Sequence, residues 1–98
     1  MLFASKLIVR SGNIILNICD PELVDKTIKD EERVITIGSD YYNEKTVDET
    51  EATHQLQNCT SVNMVGEKII SLSLKLGIGS DKGVRKIDGI PFLIVFKV

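Results

Sequence analysis

The sequence predicts a single α+β domain over residues 1–98, with a mostly antiparallel or mixed sheet, N- and C-terminal hairpins and about three helices packed on the sheet. Three observations predict this class. Apolar residues alternate with polar ones beside turn dipeptides near both ends of the chain. One internal segment has clear helical spacing of its apolar residues. A chain of 98 residues with 43% hydrophobic content is also large enough to bury one core without a metal or a disulfide.

The first element is a predicted hairpin. Strands are expected at residues 7–10 and 14–18, joined by the turn signal Ser11-Gly12-Asn13. Ile14, Leu16 and Ile18 share one strand face, because side chains alternate between the two faces of a strand. That face is expected to lie on the core.

A helix is predicted to follow directly and to end near residue 30. Asp20 is a favoured N-cap residue, and Pro21 suits the first helical position. Glu22 complements the positive end of the helix dipole. Beyond this helix we expect a strand at residues 34–37 and an irregular segment at 41–44.

The second predicted helix begins at a capping-box pattern. In Thr46-Val47-Asp48-Glu49, Thr46 would cap the helix and Glu49 would reach back to the cap. The helix would extend to about Asn58. Its predicted apolar stripe is narrow and consists of Ala52, Leu56 and Cys59.

The third helix has the strongest pattern in the chain. It is predicted from about Gly66 to Leu76, because Val65, Ile69, Leu72 and Leu76 follow helical spacing. Gly77 is the expected C-terminal stop. Residues 60–64, just before it, fit either a short strand or a linker.

A second hairpin is predicted at the C-terminus. Asp88-Gly89 is a strong two-residue hairpin turn between strands at residues 84–87 and 90–98. The last strand is apolar on both faces, a pattern typical of an interior strand that is covered on both sides.

Composition and charge limit the classes of function. The net charge is −2, but residues 20–51 contain eleven acidic and four basic residues, whereas both ends are mildly basic. An acidic surface disfavours broad contact with a nucleic-acid backbone. No apolar stretch is long enough for a membrane span, and the N-terminus lacks a signal-peptide pattern, so we expect a cytoplasmic protein without membrane association.

No catalytic signature is present, and we expect no cofactor and no metal site. The single histidine, His54, is not spaced with Cys19 or Cys59 as zinc ligands are. Cys19 precedes a predicted helix start, where a thiol pKa can fall, so a reactive thiol stays an alternative. The glycines in residues 77–83 lack the spacing and the strand–helix setting of a phosphate-binding loop.

Two groups of residues are candidates for binding. Asn63, Gly66 and Glu67 mark the start of the third helix, where an amide can cap the helix and a glycine allows close approach of a ligand or a backbone. Cys19 and Asp20 are added as a possible part of one cleft with them. Lys82, Arg85 and Lys86 form the candidate nucleic-acid surface, which Lys6 and Arg10 could extend into a stripe.

Four short segments resemble a family of small archaeal proteins of about one hundred residues whose domain has no assigned function. They are Cys19-Asp20-Pro21-Glu22-Leu23, Tyr42-Asn43-Glu44, Asn63-Met64-Val65-Gly66-Glu67 and Ile87-Asp88-Gly89-Ile90-Pro91. Members often carry His-Ala-Gln after that proline, where this chain has Phe92-Leu93-Ile94, and Asn43 stands where relatives have glycine. A polar site built on that histidine and glutamine would be absent from this chain.

Three functional hypotheses follow. The first is a non-enzymatic binding or adaptor module for a macromolecular partner, most simply a protein. The second is association with RNA or a ribonucleoprotein, which the family resemblance links to translation. The third is a small-ligand binder or an enzyme that uses Cys19, Asn63 and Glu67. Pairing of hairpin edges between two chains leaves a homodimer as a further alternative.

Overall fold

Six strands form one mixed sheet in the order β5-β1-β2-β6-β8-β7, and a two-stranded sheet, β3-β4, lies against one end of it. The structure is a computed structural model, and it describes residues 1–97. The large sheet consists of β1 (Leu2–Arg10), β2 (Asn13–Cys19), β5 (Lys45–Asp48), β6 (Ser61–Val65), β7 (Arg85–Ile87) and β8 (Ile90–Phe96). The small sheet consists of β3 (Thr27–Asp30) and β4 (Arg33–Thr36). The helices are α1 (Ser39–Tyr42), α2 (Glu49–Asn58) and α3 (Glu67–Lys75). The predicted α+β class is therefore confirmed.

The N-terminal hairpin forms the middle of the sheet. β1 pairs antiparallel with β2, and Leu7 lies opposite Leu16. β2 then pairs parallel with β6, and β6 pairs antiparallel with β8. The ambiguous segment 60–64 is thus a central strand, because its neighbours supply both rows of backbone hydrogen bonds.

One face of the sheet carries the main core. The two longer helices, α2 and α3, pack there, and the predicted inner residues of β2 and α2 are buried except Ile14, which is partly buried against the core. The fully buried side chains contributed by the sheet include Phe3, Leu16, Ile18 and Val62. The helices contribute Ala52, Leu56 and Ile69, which are also fully buried.

The predicted helix over residues 20–30 is wrong. A single 3₁₀ turn, Pro21–Leu23, is followed by strand β3. Asp25 adopts a left-handed φ of 67° and donates its N–H to the carbonyl of Ile37. This backbone conformation prevents the 3₁₀ turn from continuing as a helix. Ile28 then pairs with Ile35 of β4 and is fully buried, so tertiary burial outweighs the local helix signals.

The predicted start of α2 is also wrong, although its end is right. Thr46 lies in β5, which pairs with β1, and the helix begins at Glu49. The cap is Asp48, whose Oδ1 accepts a hydrogen bond from the Glu51 N–H at 2.9 Å. The segment expected to be irregular contains the single turn α1.

The C-terminal half follows the predictions more closely. α3 spans Glu67–Lys75 and ends before Gly77, which has a φ of 79°. Asp88 and Gly89 both have positive φ, as a tight hairpin turn between β7 and β8 requires. Val98, predicted to belong to the last strand, lies outside the described residues. Within residues 1–97, no helix has the length and apolar character that crossing a membrane requires.

The second face of the sheet is covered only in part. β3, β4 and the turn before them pack over Cys19, Val65 and Ile90. Towards its C-terminal end β8 has no such cover, since Ile94 is 59% and Phe96 76% exposed. The prediction that the last strand is covered on both sides is therefore wrong for this part of the strand.

Candidate functional site

Three of the resemblance segments meet at the start of α3. One groove of about 240 Å³ is lined by Asp20 after β2, by Glu67 at the start of α3 and by Gly89 in the β7–β8 turn. A second groove of about 390 Å³ lies beside it and shares Glu67 and Pro91 with it. Asp20, Gly66 and Glu67, predicted together from the sequence, are therefore close together in the fold.

Asp20 caps α3 rather than a helix of its own. Its Oδ2 accepts the Lys68 N–H and its Oδ1 accepts the Ile69 N–H, both at 2.9 Å. Asp20 is itself 3% exposed, and its backbone N–H donates to the carbonyl of Val65. The carboxylate of the protein therefore occupies the position in which an anion would bind at this helix start.

Gly66 makes room for this carboxylate. Its φ is 118°, and a Cβ added there would lie 2.3 Å from Cγ of Asp20. Its N–H donates to the carbonyl of Pro91, which ties the start of α3 to β8. The close approach expected from the glycine is thus made by a side chain of the same chain.

Burial controls the titration of the groups around this cap. It raises the pKa of the Asp20 carboxyl, although the two backbone N–H donors act in the opposite direction. Cys19 is fully buried, and desolvation raises the pKa of its thiol from 9.0 to about 12, with Asp20 and Glu22 adding to the effect. Since the thiolate is the nucleophilic form, this burial disfavours a reactive Cys19.

Asn63 does not cap α3, contrary to the prediction. It lies in β6, and its Nδ2 donates to Oδ1 of Asn17 on β2 at 2.7 Å. Its side chain is on the sheet face away from α2 and α3, whereas Glu67 lines the grooves on the helix side. Cys19, Asn63 and Glu67 therefore do not line one cleft.

The three predicted basic residues are not one patch. Lys82 lies in a 3₁₀ turn, Asp81–Gly83, ahead of β7. Arg85 pairs with Phe92 and Lys86 with Pro91, so these two neighbours point to opposite faces of the sheet. Lys86 lines the larger groove on the helix side, with Glu67 and Pro91.

Arg85 lies on the second face of the sheet, the face that also carries Lys6 and Arg10. It lines a groove of about 230 Å³ together with Phe92 and Ile94. Three strands separate β1 from β7, so Arg85 is at least about 19 Å from the two bases of β1. The predicted stripe is therefore two separate groups on one face.

The sequence interpretation missed an apolar surface between these two groups. Ile8 lies opposite Ile15, Ile15 beside Ser61, and Ser61 opposite Phe96, in one row across four strands. Ile94 follows one step further along β8. We call Ile8, Ile15, Ile94 and Phe96 the open strip.

The signal for this surface was present in the apolar alternation on both faces of the last strand. This pattern does not predict an exposed surface by itself, because the sequence does not show that the small sheet covers only the other end of the second face.

In residues 1–97 no three His, Cys, Asp or Glu side chains are grouped so as to hold a metal ion.

Comparison with known proteins decides the family. A sequence model of the family described as "Protein of unknown function (DUF424)" matches residues 9–98. The chain belongs to this family. The match confirms the resemblance found in the sequence segments, and no curated protein matches the chain.

A solved structure has the same fold. It is a crystal structure of an uncharacterized conserved protein from the archaeon Methanopyrus kandleri, with a TM-score of 0.82 and 16% sequence identity. The similarity covers 100% of this chain and 95% of that one. At this identity the likeness establishes the fold only, so any functional argument must rest on the residues of this chain.

Proposed function

We propose that the protein is a non-enzymatic binding module that docks a macromolecular partner, foremost a protein, on the open strip. The observation that carries this function is the exposure of Phe96 (76%) and Ile94 (59%), which are neighbours on one face of β8 beyond the residues that pair with β7. Exposed apolar side chains that cluster on a protein surface commonly mark an interaction site, and Ile8 and Ile15 extend this cluster on the far side of Ser61. Cytoplasmic location stays part of the same proposal.

The chemistry elsewhere in the chain supports binding over catalysis. The thiol of Cys19 is buried, which favours its protonated form, and both carboxylate oxygens of Asp20 accept N–H groups of α3. Glu67 lines two shallow grooves, and neither Cys19 nor Asn63 lines either of them. The third hypothesis, an enzyme or small-ligand binder at these residues, therefore loses the arrangement it requires.

The size of the open strip suits a docking surface of moderate affinity. Full burial of one Ile or Phe side chain contributes about 1.5–3 kcal/mol. Ile94 and Phe96 are exposed, whereas Ile8 and Ile15 are already half-buried, so burial of the strip offsets part of the roughly 4–15 kcal/mol that association costs in lost freedom. Polar contacts at the rim of the strip would then set which partner binds.

The test is co-purification of the tagged protein from native lysate, with and without nuclease, read by mass spectrometry. The double variant Ile94→Ser/Phe96→Ser removes the centre of the strip. The matched control Val9→Ser/Val34→Ser removes two apolar strand residues of similar exposure, 72% and 65%, that lie outside the strip. We expect nuclease-resistant partners that the first variant loses and the control retains; equal retention by both variants contradicts docking on the strip.

RNA association is the second candidate, and one observation favours it. Phe96 is an exposed aromatic ring on the same face as Lys6, Arg10 and Arg85, and stacking rings with nearby bases are typical of single-strand binding. Its test is retention of labelled single-stranded RNA by the wild type and by Arg10→Glu/Arg85→Glu. Partners that disappear with nuclease, together with RNA retention that the charge reversal abolishes, would favour this candidate over protein docking.

A further inference from the structure

We infer, on the basis of the docking function proposed above, that the occupant of the open strip is a protein segment that combines apolar side chains with carboxylates. The open strip supplies the apolar contacts. The charges around it supply the preference for an acidic partner.

The side chains of the sheet that flank the open strip carry positive charge. Along β1, β2, β6 and β8 the charged outward-facing side chains are Arg10, which is exposed, and Lys6, which is half-buried and donates its Nζ to the backbone carbonyl of Asp40 in α1 at 2.7 Å. Arg85 adds a third base on the other flank, beside Ile94. The other accessible outward positions there are uncharged, namely Asn13, Ser61 and Asn63 besides the strip itself; Asn17, in the same row as Lys6, is buried.

This local excess of positive charge contrasts with the whole chain, whose net charge is −2. The most acidic stretch, residues 20–51, includes the small sheet, which covers the other end of the same face. An apolar surface between basic flanks attracts carboxylates and repels basic segments, which gives specificity and faster association. A second copy docked strip to strip would bring these bases against one another, so the charge argues against that occupant.

The composition of the strip favours protein over nucleic acid. Three of its four residues are isoleucines, which cannot stack on nucleobases as aromatic rings do. Arginine at the edge of an aliphatic and aromatic centre, with few lysines or acids, is typical of the cores of protein interfaces. Asn63 lies opposite Ile94 and is partly exposed, so its amide can also pair with the backbone of a bound segment.

The experiment selects short random peptides from a displayed library on the immobilised full chain. We expect the enriched peptides to contain several Asp or Glu residues among large apolar ones. Their affinity should fall about tenfold or more with Arg10→Glu/Arg85→Glu, and it should fall as salt is raised. The control Lys26→Glu/Lys75→Glu changes the net charge equally at exposed positions away from the strip and should retain binding.

The outcomes separate this inference from the docking function on which it rests. Enriched peptides without acidic residues that still require Ile94 and Phe96 overturn the acidic preference and leave docking intact. Peptides indifferent to Ile94→Ser/Phe96→Ser overturn both. Failure to enrich any peptide, stronger retention of random single-stranded RNA than of peptides at physiological salt, or dimerisation lost on Ile94→Ser/Phe96→Ser each overturns the inferred occupant. A switch to basic peptides in Arg10→Glu/Arg85→Glu would be the clearest support.

Discussion

Substitution of Gly66 by alanine tests the cap that joins β2 to α3. The new methyl group would lie 2.3 Å from Cγ and 2.4 Å from Oδ2 of Asp20, distances at which one of the groups must move. Asp20 cannot move without lengthening its two 2.9 Å hydrogen bonds to the N–H groups of Lys68 and Ile69. We therefore expect Gly66→Ala to break the cap as well as to strain the backbone.

The expected loss of stability is about 3–5 kcal/mol. Roughly 1–3 kcal/mol comes from placing alanine at a φ of 118° and a ψ of 151°, a conformation that is almost restricted to glycine. About 2 kcal/mol comes from losing the N-cap, since the N–H of the buried Ile69 is then left without its acceptor. For a domain of this size, such a loss lowers the melting temperature by about 15 °C or more.

The assay is urea unfolding followed by circular dichroism, with Gly12→Ala as the matched control. Gly12 also has a positive φ, 82°, but nothing lies within 4 Å of its added Cβ, so it should lose only the backbone term of about 1 kcal/mol. In the Asp20→Gly background the obstructing side chain is gone, and Gly66→Ala should cost only its backbone strain, about 1–3 kcal/mol. Equal losses for Gly66→Ala and Gly12→Ala, or additive effects of Gly66→Ala and Asp20→Gly, would refute the reasoning.

Three further outcomes are expected. Asp48→Ala should lower the free energy of unfolding by about 1 kcal/mol while Thr46→Ala, in a strand, loses no cap, and urea unfolding of the two variants distinguishes them. Ser5→Ala should cost about 1–3 kcal/mol in the same assay, because the buried Oε1 of Gln55 loses the hydroxyl that donates to it at 2.6 Å. Because burial raises the pKa of Cys19 from 9.0 to about 12, the thiol stays protonated to a higher pH in the folded state than in the unfolded state. Stability should therefore fall as pH rises from 9.0 towards about 12, and Cys19→Ala should flatten that slope; an unchanged slope contradicts the assignment.

Local signals predicted the elements whose residues interact with near neighbours. The turn at Asp88-Gly89 brings together the strands directly beside it, so two residues suffice to predict the hairpin. Helix α3 was predictable for a similar reason, because its apolar spacing and Gly77 both act within the segment.

Asp20 illustrates where local reasoning fails. Its sequence context is typical of an N-cap, and it is an N-cap, but for a helix that begins 47 residues later. Sequence spacing cannot show which helix start a carboxylate reaches, because that depends on the parallel pairing of β2 with β6. The predicted N-cap role of Thr46 is wrong for a related reason, because pairing with β1 places Thr46 in a strand although the sequence matches a capping box.

The candidate site divides in the same way. Asp20, Gly66 and Glu67 were predicted and lie together, although as a structural cap beside shallow grooves. Asn63, one of the predicted partners, lies on the other face of the sheet and pairs with Asn17. The open strip was missed entirely, because its residues come from β1, β2 and β8 and become neighbours only through the strand order.

By itself, the sequence determined the α+β class, the two terminal hairpins, the position of α3 and the family. These follow from periodicity, turn chemistry and short segments, all of which act over a few residues. Only the tertiary structure decided that Asp20 serves α3, that residues 27–36 form a second small sheet, and that Ile94 and Phe96 remain exposed. The physical reason is that burial and long-range hydrogen bonding depend on which strands become neighbours, and no local pattern records that order.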